Sequence, residues 1–182
     1  MRVEHEFEAV YDRHSQLLIL GTFPSVKSRE MAFYYGHPQN RFWRLIAALT
    51  GEKVPAREDI AAKKQMLLRH GIAVWDVVAS CQITGSSDSS IRDVIPNDIG
   101  ALLQKTDITH IYANGTKAYD LYMKYVYGQT GREIIKLPST SPANAAFSFD
   151  RLYTVWQEQL EDDFSDMKAS EGVTGELKQL TR

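Results

Sequence analysis

Four short apolar runs, each cut off by turn-forming residues, constrain this chain more than any other feature. They are 17–20 (LLIL), 72–75 (IAVW) with Val77 and Val78 beyond, 108–112 (ITHIY) and 133–137 (EIIKL). Each has the length of a buried strand, although a short apolar run by itself fits a piece of core helix equally well. The intervals decide between them. Segments 40–49 (NRFWRLIAAL) and 58–70 place apolar residues at helical spacing, and Gly71 follows the second, where a helix end favours glycine. Segments 99–105 and 116–127 fill the later gaps, and 149–160 follows the last run. Strand and helix therefore alternate, the pattern of an open parallel sheet covered by helices. The expected fold class is α/β, a three-layer α/β/α domain around a central four-stranded parallel sheet, occupying 1–164.

Composition narrows the setting. A chain of 182 residues that is 43% hydrophobic has enough apolar content for one packed core. Its one cysteine, Cys81, excludes an internal disulfide, and its five histidines show no ligand spacing, so no metal or other cofactor is expected. No segment approaches the roughly 20 apolar residues of a membrane helix. The opening stretch MRVEHEFEAVYDRHSQ lacks the apolar run of a secretory signal, and the expectation is a cytoplasmic protein. The formal net charge of −2, taken whole, speaks against nucleic acid. Residues 158–182, however, carry seven acids against three bases, a net of −4, which leaves about +2 on the rest. The acidity belongs to the end of the chain, and 165–182 reads as a polar, flexible tail.

In sheets of this kind ligands bind beyond the carboxyl ends of the strands. The residues that follow the four runs are 21–25 (GTFPS), Asp76, 113–115 (ANG) and 138–144 (PSTSPAN). They offer amides, hydroxyls and backbone donors, with little charge. The chain has no GxxxxGK[ST] loop, GxGxxG turn, GxSxG elbow or HExxH helix. Tyr34 and Tyr35 before a proline turn suit a stacking wall for a planar base, or simply core. Asn40, opening a helical segment, suits a polar ligand or a cap. Asp76 closes an apolar strand, where a carboxylate needs a partner. A base N–H, a helix cap or a pairing with Arg92 would each supply one. PSTSPAN suits phosphate oxygens, or a plain turn.

Taken together, GTFPS, HPQNRFW at 37–43 and PSTSPAN resemble the uracil-DNA glycosylase superfamily, in which a Gly-x-x-Pro loop and a Pro-Ser loop flank a flipped nucleotide. With GIAVWDVVASC, GSSDSSI and NGTKA added, the set is most similar to the hypoxanthine-DNA glycosylase branch, over about 17–156. The resemblance implies a monomer that extrudes a deaminated base from double-stranded DNA. It would hydrolyse the glycosidic bond, releasing hypoxanthine from deoxyinosine and leaving an abasic site. The alternatives are uracil excision from U·G or U·A pairs, and a non-catalytic DNA-binding homologue. By the same resemblance Asn40 is the catalytic residue and would orient water through its carbonyl oxygen. Tyr35 would stack on the base, Asp76 would read its ring N–H, and Gly21 and Phe23 would complete the base pocket. Ser139, Thr140 and Ser141 would hold phosphates, Asn144 would stand beside a wedge, and Ser25 and Asn114 would add DNA contacts. Two positions depart from the pattern. Phe23 stands where many members place Asp or Asn, and Leu137 where classical uracil enzymes carry His, which argues against efficient uracil excision by that pair.

The charge division makes a measurable statement. Removing residues 167–182, which hold two acids and three bases, takes away a net charge of +1, so nonspecific DNA binding is expected to hold or weaken slightly at low salt, where screening is weakest. Tighter binding would show that the repulsion lies in these residues and not in the five acids of 158–166.

Overall fold

The structure, a computed structural model, describes the backbone of residues 1–179 and the side chains of 1–165. Its centre is a four-stranded parallel sheet built from β2 (Leu17–Gly21), β3 (Ile72–Asp76), β6 (His110–Asn114) and β7 (Ile135–Leu137), in the order β3-β2-β6-β7. Strand β2 is buried along its whole length, as an inner strand covered on both faces must be.

Alternation along the strands sorts the core into two layers. Leu17 and Ile19, with Ile72, Val74 and Tyr112, face α2 (Phe42–Thr50), α3 (Ile60–Arg69) and α7 (Phe149–Gln179). Leu18 and Leu20, with Ala73 and Ile111, face α4 (Ile99–Gln104) and α5 (Thr116–Tyr125). Short helices α1 (Val26–Met31) and α6 (Tyr127–Thr130) complete the set. The three layers are those the alternating pattern predicts. Helices α3 and α4 begin on aspartates, Asp59 and Asp98, that accept from the backbone N–H of Ala62 and Ala101.

Four differences from the expectation have physical reasons. The third strand lies two residues later than its apolar run, because Arg132 takes the carbonyls of Ile108 and Thr109. A shift of two leaves every side chain on its original face. The fourth run supplies only three strand residues. Val77 and Val78 do not extend the second strand; the chain turns after Asp76, and Val78 opens β4 (Val78–Gln82). With β1 (Arg2–Glu4) and β5 (Arg92–Pro96) it forms an antiparallel sheet, β1-β4-β5, that the sequence pattern does not announce. Its strands are short and mixed in polarity, and β1 pairs with β4 across a long separation.

Helix α7 runs past the expected end at residue 160, through 161–170, which contains neither proline nor glycine to stop it. The expectation of a flexible tail over 165–182 falls largely on residues whose side chains, and for 180–182 whose backbone, lie outside the described residues. Among the described residues no helix is long and apolar enough to cross a membrane.

Two contacts fasten α7 where it matters. Asp163 accepts from Tyr112 Oη and lies 2.6 Å from His110 Nδ1. Trp156, fully buried, donates from its indole N–H to Pro138 O at 2.9 Å and meets the Phe42 ring edge-on. Trp156→Ala is expected to cost about 3–5 kcal/mol, the range for emptying a large aromatic site. The urea midpoint measures it, and a loss under 1 kcal/mol, roughly that of a surface change, would contradict this packing.

Candidate active site

The carboxyl ends of the parallel strands lie level. Gly21 pairs with Asp76, Leu20 with Ala113, and Asn114 with Leu137. The loops leaving those ends surround one cavity of about 410 Å³, within the size range of small-molecule sites. Of the residues expected to form a site, all but Asn144 line it.

One end is built around Asp76, which is 4% exposed. Its partner is neither a helix N-terminus nor Arg92, which is exposed on β5. It is His5, whose Nε2 lies 2.8 Å from Asp76 Oδ2. The first ten residues carry His5 there. Strand β1 pairs with β4, His5 N–H donates to Ala79 O, and Val10 bridges Val74. The imidazole is packed among the rings of Phe7, Phe23 and Tyr34. His5 escapes a search for ligand spacing, yet the sequence does carry its signal. Val3, His5, Phe7 and Ala9 occupy the inward phase of a period-two pattern whose outward phase is Glu4, Glu6 and Glu8.

Gly21 and Tyr35 complete this end. A Cβ at Gly21 would collide with Asp76 Oδ1 and stand 3.1 Å from Tyr35 Oη, so only glycine permits the approach. Tyr35 is left-handed (φ +52°), and its ring stacks on Phe42 at 3.9 Å between centroids. Its hydroxyl is buried without a hydrogen-bond partner. Burial, and then the Asp76 carboxylate, push the Tyr35 phenol far above its ordinary value, so it stays protonated.

The other end is a chain of three polar side chains. Thr140 N–H donates to Asn114 Oδ1, Asn114 Nδ2 donates to Thr140 Oγ1, and Thr140 Oγ1 donates to Asn40 Oδ1. Phe42 N–H also donates to Asn40 Oδ1, at 2.9 Å. Asn40 thus caps the approach to α2, and its carbonyl oxygen has both lone pairs occupied. Water oriented through that oxygen, as expected, would have to compete with these two hydrogen bonds. The amide nitrogen, with no acceptor among the described residues, is the group Asn40 presents. Thr140 and Asn114 are likewise buried and hydrogen-bonded to each other, so a contact of either with DNA would have to compete with that bond. They fix Asn40.

The last loop separates its hydroxyls from its scaffold. Ser139 Oγ accepts from Ser141 N–H and Ser141 Oγ from Ala143 N–H, which leaves both hydroxyl protons free to donate outward. Asn144 does not reach the cavity; its side chain donates to Ser139 O. Arg41, which the sequence reading passes over, clasps the loop from behind. Its guanidinium donates to the carbonyls of Thr140, Ser141, Asn144 and Phe147. Ser25 caps α1 by accepting from Ser28 N–H and gives its own proton to Ser28 Oγ. A second cavity, of about 350 Å³, shares Tyr35, His37 and Asn40 and carries the positive charge missing from the first, in Arg41, Arg44, Arg57 and Lys63.

Comparison with known proteins shows the family. The family described as the uracil DNA glycosylase superfamily matches residues 8–160. A protein of Methanosarcina acetivorans named hypoxanthine DNA glycosylase is 38% identical over 152 residues, covering 82% of this chain and 93% of that one. One of the same name from Methanosarcina barkeri is 31% identical over 139 residues, covering 76% and 86%. A solution NMR structure of a candidate uracil DNA glycosylase from Methanosarcina acetivorans superposes with a TM-score of 0.73 at 34% identity, covering 92% of this chain and 99% of that one. With its parallel sheet, its two proline-bearing loops and a match over most of its length, the chain belongs to the uracil-DNA glycosylase superfamily.

Proposed function

We propose that the protein is a DNA glycosylase that draws hypoxanthine out of duplex DNA and hydrolyses its N-glycosidic bond, leaving an abasic site. The observation that carries this reading is one cavity holding a buried carboxylate at one end and a rigidly oriented amide donor at the other. The name shared by the Methanosarcina relatives supports the choice of base.

The chemistry follows from what each group can do. Extruding a nucleotide costs a few kcal/mol, least for a mispaired or damaged base, which favours deoxyinosine over a normal pair. In the cavity the Asp76 carboxylate accepts from the ring N–H of hypoxanthine. Adenine has no hydrogen on that nitrogen, and binding it would leave a desolvated carboxylate unpaired. Asn40 cannot take a proton, so bond breaking runs ahead of water attack, and negative charge builds on the departing base. A preorganised N–H donor aimed at such charge contributes more than the same donor in water. Asn40 Nδ2 is that donor. Ser139 and Ser141, with their protons free, hold backbone phosphates, the sequence-independent part of DNA binding.

Duplexes carrying one deoxyinosine or one deoxyuridine test the reading. Alkali-labile cleavage and free hypoxanthine are expected from the first, and no abasic product from either would overturn it. Asn40→Asp keeps the acceptor for Phe42 and Thr140 and replaces the amide donor with a charged carboxylate oxygen. Single-turnover excision should fall by about 100-fold or more, the usual effect of deleting one such donor. Retained activity would return the role to the oxygen.

A further inference from the structure

We infer that the Tyr35 hydroxyl reads the carbonyl oxygen of the extruded base, so that Tyr35 and Asp76 together recognise a lactam edge, an N–H beside a C=O. The inference rests on the glycosylase reading above and names the class of base that the site accepts.

A buried hydroxyl almost always has a partner, and one without a partner needs a reason. Tyr35 Oη is buried and unpartnered. No group around it, Asp76 Oδ1 included, makes a hydrogen bond with it. The Asn114 amide serves Thr140, and the neighbouring phenol, that of Tyr34, donates to Glu8 O. A protonated phenol offers one proton, so the missing partner is an acceptor. That acceptor must sit beside Asp76, because Oη and Asp76 Oδ1 both crowd the bare α-carbon of Gly21. His5 holds Oδ2, which leaves Oδ1 as the carboxylate's free acceptor. The cavity therefore presents one donor and one acceptor side by side.

Hypoxanthine complements that pair through O6 and N1–H, and xanthine and uracil carry the same edge. Adenine and cytosine carry it reversed, an amino group beside a bare ring nitrogen. Donor then faces donor and carboxylate faces lone pair, two mismatches where Asp76 alone would supply one. Guanine shares the lactam edge, so its exclusion falls to the cost of breaking a sound pair.

Tyr35→Phe removes the hydroxyl and keeps the ring on Phe42. The probes are duplexes bearing a non-cleavable 2′-fluoro-deoxyinosine or its 6-thio counterpart, which keeps the ring N–H and replaces the oxygen with a poor acceptor. The unmodified protein should bind the oxo duplex about tenfold more tightly than the thio duplex, and Tyr35→Phe should bind the two alike. The variant's melting temperature should equal or exceed that of the parent, since a buried group without a partner is gone. A preference that survives in Tyr35→Phe, or that the parent lacks, overturns the inference. Because binding is read without excision, an inactive parent would count against the glycosylase reading alone.

Discussion

Two backbone N–H groups, those of Phe42 and Thr140, decide the orientation of three side chains. An amide can be turned over at little cost unless a neighbour distinguishes its oxygen from its nitrogen. Phe42 N–H requires an oxygen of Asn40, and Thr140 N–H requires an oxygen of Asn114. The Thr140 hydroxyl must then accept from Asn114 and donate to Asn40, and no alternative assignment satisfies all four groups. The backbone donors are themselves fixed, one by the start of α2 and the other by the loop that Arg41 and Trp156 anchor to α2 and α7. The geometry of this end of the cavity is inherited from the packing of helices on the sheet, the kind of support that keeps a site preorganised.

The opposite end of the cavity is held in a less comfortable state. A carboxylate and a phenol are buried together, and Gly21 is bare so that they can approach. Tyr35 adopts a left-handed backbone that costs a non-glycine residue energy. Such costs persist where the surrounding structure over-determines the conformation, and the stacked Phe42 ring and the packed His5 provide that here. Selectivity is obtained at the expense of stability, a common trade in binding sites.

Much of this is legible in the sequence, and the illegible part has a pattern. The parallel strands announce themselves because each is a buried apolar run ending in turn residues, and their ends locate Gly21, Asp76 and Asn114 without further help. Hydrogen-bond roles are another matter. A threonine in PSTSPAN reads as a phosphate donor, because sequence displays donors and acceptors and hides their partners. Only the fold shows that Thr140 is spent on Asn114 and Asn40 while Ser139 and Ser141 are not. Arg41 draws no notice in the sequence and is in fact a clasp of carbonyls. Strand β1 and His5 are hidden for a related reason, since their partners lie far along the chain and leave no local period beyond a weak alternation.

The pairing of His5 with Asp76 spans 71 residues. Contacts of that separation form late, because a long loop must close before they return anything. The segment bearing His5 is synthesised well before β3 and β4 exist to receive it, and until then its inward-facing Val3, Phe7 and Val10 have no surface to cover. The parallel sheet can collapse first on its own apolar runs. The Asp76 end would then be the last part of the cavity to be completed, and the first to come apart when the edge of the sheet frays.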